Sequence, residues 1–302
     1  MFKGSLVALI TPFKDNQIDF DALTHLVEWH VQEGTHGIVV CGTTGEFSSL
    51  TPQEQRQILS TCIKAAQGKL PIIAGINAFD VKNAIDLISQ AQEAGAQGVM
   101  VVNPPYIKPT QEGLYAFFKA IHDQTNLPLI IYNNPGRTGT LITPPTLVRL
   151  STCARIVAVK DSSGDLLAPL ELRRLAAENF TQLCGEDPMT VAFLAHGGQG
   201  CISVTANVAP RLCADLYLAW EKNDFERVSY IRDRLAPLNK ALFIEGNPVP
   251  IKYAASLLGL CRNEVRSPLL PASENACTAV REALEYADLI PTKATTRKES
   301  HG

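Results

Sequence analysis

The sequence of 302 residues carries no Cys-x-x-C pair, no His-Glu-x-x-His pattern and no clustering of histidine with cysteine or aspartate, so a zinc site is not expected. Neither charge is in excess. Lys plus Arg number 27 against 30 Asp plus Glu, a formal net charge of -3 that leaves no basic footprint for nucleic acid or an anionic membrane. No strand-like run is followed by Gly-x-Gly-x-x-Gly, which argues against a dinucleotide fold. The stretch from Met1 to Pro12 has one lysine and too short an apolar run for a signal peptide or a membrane span. The 8 cysteines are too dispersed for a disulfide framework. Cys41, Cys184 and Cys201 fall inside expected strands, where a thiol is a small hydrophobe, and reduced thiols throughout imply a cytoplasmic protein.

What is present is a repeated alternation. Short β-branched runs predict strands at Leu6–Ile10, Gly37–Gly42, Pro71–Ile76, Gly98–Val102, Leu127–Tyr132, Ile156–Lys160, Gln182–Gly185 and Gly200–Thr205. Helical periodicity fills the gaps, as in Phe20–Glu33, Gln53–Ala66, Val81–Ala94 and Gln111–Gln124. Strands joined by helical crossovers pair in parallel, and eight such units close a barrel. The expected fold is therefore α/β, a (β/α)8 TIM barrel over residues 1–224. A C-terminal helical domain follows over 225–290, with helices at Phe225–Phe243, Val249–Leu258 and Glu274–Tyr286, and residues 291–302 read as a disordered polar tail.

In such barrels the chemistry lies at the C-terminal strand ends. Those ends hold hydroxyls, amides, two tyrosines, one arginine and one lysine, Lys160, and no metal-ligand set. Side-chain alternation places Ile156, Ala158 and Lys160 on one face of their strand and Val157, Val159 and Asp161 on the other. From this run alone two readings stand. Lys160 either pairs with a carboxylate at the strand end, or it is a buried amine able to attack a carbonyl and form an imine. Thr43 and Thr44 likewise read as an uncharged anion cradle or as the cap of the helix beginning near Pro52.

Taken together, Gly42-Thr-Thr-Gly-Glu46, Tyr132-Asn-Asn-Pro-Gly-Arg-Thr-Gly139, Lys160, Gly200-Cys-Ile-Ser-Val-Thr-Ala-Asn207 and Asn247-Pro-Val-Pro-Ile-Lys-Tyr253 resemble the N-acetylneuraminate lyase superfamily of class I pyruvate-dependent aldolases. Within it the chain is most similar to the dihydrodipicolinate synthase family, from Gly4 to about Ile290. The resemblance implies that Lys160 carries the imine and that Tyr132 relays protons through Thr43 and Tyr106, the last from a neighbouring subunit. It assigns pyruvate binding to Thr44 and Ile202, groups Gly185 with the substrate-binding residues, and gives Arg137 the carboxylate of L-aspartate 4-semialdehyde. A guanidinium fork suits bidentate carboxylate recognition. The implied reaction condenses pyruvate with that semialdehyde to 4-hydroxy-tetrahydrodipicolinate, on the diaminopimelate route to lysine. No cofactor is implied beyond the covalent imine, and the implied assembly is a homo-oligomer, a dimer of dimers.

Two departures stand out. Asp161-Ser-Ser-Gly164 replaces the Glu-Ala-Thr-Gly of many relatives and favours no subfamily. At positions matching the family's lysine pocket stand Phe47, Gln55, Phe79, Asn83 and Pro105, which predicts weak or no inhibition by lysine. The rival readings are an aldolase for a 2-keto-3-deoxy sugar acid or sialic acid, and a keto-acid-binding barrel without turnover.

Overall fold

The computed structural model describes residues 2–292. Eight parallel strands close on themselves: β1 (Gly4–Ala8), β2 (Gly37–Val40), β3 (Ile72–Ile76), β4 (Gly98–Val102), β5 (Leu129–Asn133), β6 (Ile156–Asp161), β7 (Thr181–Cys184) and β8 (Gly200–Ser203), with β1 paired to both β2 and β8. Every residue of β2, β3, β4, β5, β7 and β8 is buried, as strands sandwiched between a barrel interior and a helical shell require. Leu6, Val39, Ile73, Met100, Ile130 and Leu183 fill the interior, and Phe2 plugs its N-terminal end against Gly98. Intervening residues such as Val7, Ile38, Val99 and Ile131 face the helices.

The crossover helices start where the sequence supplies caps. In α1 (Phe20–Gln32) Asp19 accepts from the Ala22 N–H. In α2 (Pro52–Ala66) Thr51 and Glu54 form a reciprocal capping box. Thr51 is thus the cap near Pro52, and Thr43 and Thr44 are left for another role. Asp80 and Thr110 cap α3 (Val81–Glu93) and α4 (Gln111–Gln124) in the same way. Shorter helices α5 (Pro144–Ser151), α6 (Ala168–Leu175) and α7 (Thr190–Ala195) complete the shell. Beyond β8, α8 (Pro210–Glu221) packs on β1. Against it packs α9 (Phe225–Ala241), and α11 (Glu274–Tyr286) packs on both α9 and α10 (Val249–Leu257). Residues 293–302, most of the expected tail, lie outside the described residues.

Two local expectations are corrected. Ile156 does not share the face of Lys160. The register between β5 and β6 slips at Leu129/Ile130, so that Leu129 opposes Ile156 but Ile130 opposes Ala158. This bulge turns Ile156 outward to the helices, while Val157 and Ala158 both pack inward. Downstream the alternation resumes, and Lys160 does point with Ala158. Cys41 is the second correction: β2 stops at Val40, and Cys41 is left-handed at φ 55° where the chain turns into the Thr43-Thr44 loop. The β3 backbone approaches that turn so closely that a Cβ at Gly75 would sit 2.6 Å from the Cys41 carbonyl oxygen. The Asn77 amide donates to the same oxygen.

Candidate active site

The strand tips surround a cleft of about 310 Å³ whose lining includes Thr43, Phe47, Tyr132, Arg137, Asn247 and Arg266. Lys160 and Tyr132 are register partners on β6 and β5. Both side chains are buried, and the Lys160 ammonium lies 4.4 Å from the centre of the Tyr132 ring. Among the described residues Lys160 forms no ion pair with a carboxylate. Its neighbour Asp161 points the other way, where it accepts from the Asn133 amide and the Ser163 N–H. Asn133 also exchanges hydrogen bonds with the backbone of Ile142, so both strand tips are tied down from outside the barrel. Burial raises the pKa of Asp161 above the ordinary carboxylate range, partly offset by these donors.

The Tyr132 phenol collects several polar neighbours. Burial pushes its pKa up, but the Lys160 ammonium, the Asn134 amide, Arg137 and the Ser162 hydroxyl outweigh that effect and leave it below the usual phenol value. Asn134 donates to the phenol oxygen at 2.6 Å. Ser162 lies beside Gly185, where any Cβ would collide with its hydroxyl, and it also faces the half-buried Glu186. Burial holds the Glu186 carboxyl above its ordinary range against the pull of Ser162 and Lys160.

Thr44 is buried and accepts from the Asn247 amide at 2.9 Å, a contact between residues 203 positions apart. The loop carrying Thr43 and Thr44 ends at Glu46, left-handed at φ 56°. One Glu46 oxygen accepts from the Lys252 ammonium at 2.6 Å and the other from the Arg266 N–H at 3.0 Å. The segment after β8 thereby holds the threonine loop in place. Arg266 is engaged with Glu54, whereas Arg137 is exposed at the cleft wall and pairs with no carboxylate among the described residues.

Of the residues singled out in the sequence, Thr43, Tyr132 and Arg137 share the cleft, with Lys160 against Tyr132. Ile202 lies beneath them in the barrel interior beside Tyr132. Gly185 closes on β6 by donating its N–H to the Asp161 carbonyl at 2.7 Å. Tyr106 stands apart: it is 88% exposed on a left-handed turn at φ 73°, although Pro105 before it lines the cleft. Sequence reasoning gave no role to Asn134, Ser162, Glu186, Asn247 or Lys252. Asn247 and Lys252 sat within a motif already singled out, and the others lay at strand ends, but their partners are set by folding rather than spacing.

Fold and site together describe a closed α/β barrel with an unpaired buried amine beside a phenol at its C-terminal mouth, the layout of a Schiff-base aldolase. Comparison with known proteins narrows this class. Residues 1–287 match the model of the dihydrodipicolinate synthetase family, and the chain belongs to that family. It is 49% identical over 290 residues to the 4-hydroxy-tetrahydrodipicolinate synthase of Rhodospirillum centenum, covering 96% of this chain and 100% of that protein. The crystal structure of dihydrodipicolinate synthase from Aquifex aeolicus superposes with a TM-score of 0.93 at 42% identity, covering 95% of this chain and 99% of that one. The chloride-inhibited synthase from Acinetobacter baumannii, solved in complex with pyruvate, gives 0.93 at 39% identity, covering 96% and 100%.

Proposed function

We propose that the chain catalyses the 4-hydroxy-tetrahydrodipicolinate synthase reaction, joining pyruvate to L-aspartate 4-semialdehyde in the diaminopimelate route to lysine. The observation that carries this reading is the buried Lys160 amine, without a carboxylate partner, set 4.4 Å from the Tyr132 ring below Arg137. Lys160 Nζ attacks the pyruvate ketone, water leaves, and the iminium forms. It is itself the electron sink, so no separate cofactor is needed. Tyr132 takes and returns protons as iminium becomes enamine, with Thr43 next in the relay. Thr44, its hydroxyl held by Asn247, holds the pyruvate carboxylate with the backbone around it. Ile202 supports the same end from below, and Gly185 and Arg137 bound the space for the second substrate. The enamine carbon adds to the semialdehyde, whose carboxylate Arg137 grips in bidentate fashion. The amine of that substrate then displaces Lys160 and closes the ring.

The exposure of Tyr106 supports its insertion into a neighbour's site, and hence at least a dimer, which the family resemblance extends to a dimer of dimers. None of the eight cysteines is in a disulfide, which fits a reducing cytoplasm. The deciding experiment is the intact mass after borohydride reduction with pyruvate, for wild type and Lys160→Ala, followed by turnover with the semialdehyde. An adduct on wild type alone, with turnover, is expected. An adduct without turnover would move the second substrate to a sugar aldehyde, and no adduct would overturn the imine.

A further inference from the structure

We propose that Asn134 is a positioning residue for the Tyr132 phenol, holding its oxygen with an amide N–H and leaving its proton directed into the relay. This inference rests on the reading of Tyr132 as the group that moves protons at the imine.

The orientation of the Asn134 amide is fixed by the turn it caps. Asn134 caps the short turn Pro135–Thr138, and its Oδ1 accepts from the Arg137 backbone N–H at 3.2 Å. A backbone N–H only donates, so the atom facing it must be the carbonyl oxygen. The other end of the amide, Nδ2, then has to face the phenol, 2.6 Å away. The side chain is buried, with no solvent to let it turn over.

An NH2 group has no lone pair to offer. Tyr132 therefore cannot donate its proton to Asn134, and the proton is left for partners on the cleft side. Hydrogen bonding to the oxygen also favours the phenolate over the phenol, and with Lys160 it counters the cost of burying that charge. The same amide ties the Arg137 turn to Tyr132, so the side chain read as gripping the second substrate and the one moving protons share a support. Asn133, one residue earlier, is directed outward to Asp161 and Ile142 and cannot substitute for it.

The groups facing the phenol are Lys160 on β6, Arg137 on the turn, Thr43 across the cleft, and Glu186 beyond the Ser162 hydroxyl. All are unchanged in variants at 134. Ultraviolet titration of tyrosinate in wild type, with the Tyr132→Phe curve subtracted, gives the Tyr132 midpoint. Repeating the pair in Asn134→Ala and Asn134→Asp backgrounds gives its dependence on the amide. The midpoint should rise by about one pH unit in Asn134→Ala and further in Asn134→Asp, which keeps the cap but replaces the donor by an acceptor. The basic pKa of the kcat profile should move with it, and kcat at neutral pH should fall roughly tenfold.

An unchanged midpoint in Asn134→Ala, with Tyr132→Phe inactive, would overturn the role of Asn134 alone. Full turnover by Tyr132→Phe would instead overturn the reading on which it rests. Should Asn134→Ala fail to fold, Asn134→Ser keeps a capping hydroxyl too short to reach the phenol, and the same midpoint rise is required of it.

Discussion

Among the described residues two lysines are buried, and they have opposite surroundings. Lys252 is wholly buried, 2.6 Å from a Glu46 oxygen and 4.0 Å from the centre of the Phe13 ring. Lys160 is nearly as buried and also lies over a ring, but among the described residues it forms no ion pair with a carboxylate. Burial lowers the pKa of Lys252, and Glu46 pulls it partly back. An ammonium locked to a carboxylate has its lone pair protonated and its position fixed, which suits a clasp. Lys160 lacks that partner and lies against Tyr132, which lines the cleft, as its proposed attack on a carbonyl requires. Burial alone does not mark a reactive lysine; its partner decides.

The comparison breaks most decisively at Lys160. Lys160→Ala should lower turnover by roughly three orders of magnitude or more while leaving the thermal midpoint close to wild type, measured by coupled assay and by melting. Lys252→Ala should do the reverse. It leaves Glu46 buried without its ion-pair partner, a loss of about 3–5 kcal/mol in denaturant unfolding, with much of the turnover kept by the molecules that remain folded. Lys252→Met combined with Glu46→Gln should recover a large part of that stability, because no unpaired charge stays buried. If the double variant were no more stable than Lys252→Ala, the clasp would not act as a charge pair.

A smaller effect sharpens the picture at the rim. Hydrogen bonding from Arg266 holds the Glu54 carboxyl down at about 2, helped by the Thr51 N–H and opposed by burial. Its folded value lies below its unfolded one. Its contribution to stability is thus full above about 4.5 and lost as pH falls toward about 2. Glu54→Gln should flatten the stability curve across that window, with a loss of about 1 kcal/mol at neutral pH from the cap and the pair. The smallest expected effect is that of lysine itself. Asn83 offers no charge, Phe79 is exposed, and the Gln55 amide is engaged with the Leu50 carbonyl. Sub-millimolar lysine should leave the initial rate unchanged, and clear inhibition there would show that other groups bind its amine.

The barrel was legible in the sequence because its strands are continuous apolar runs of β-branched residues, a pattern that follows from burial on both faces. The tips were legible for the same reason, since period-two alternation carries Lys160 and Tyr132 to the mouth. What escaped depended on geometry without a local signature. The bulge that turns Ile156 outward is invisible to a reading that assumes unbroken pairing. The left-handed backbone of Cys41 and Glu46 occurs at residues whose type does not announce it. The Lys252 pair joins positions 206 residues apart, and the role of Asn134 follows from which end of its amide meets a backbone N–H.

The Glu46 clasp also sets an order of events. The eight strands are complete by Ser203, yet the groups that grip Glu46 arrive only with Lys252 and Arg266. A chain emerging from the ribosome therefore has every strand of its barrel before it has the means to steady the threonine loop. On the proposed role of Thr44, competence to hold a keto acid comes late in synthesis, after the barrel itself can close, and a premature stop ahead of Arg266 would leave a barrel with a slack mouth.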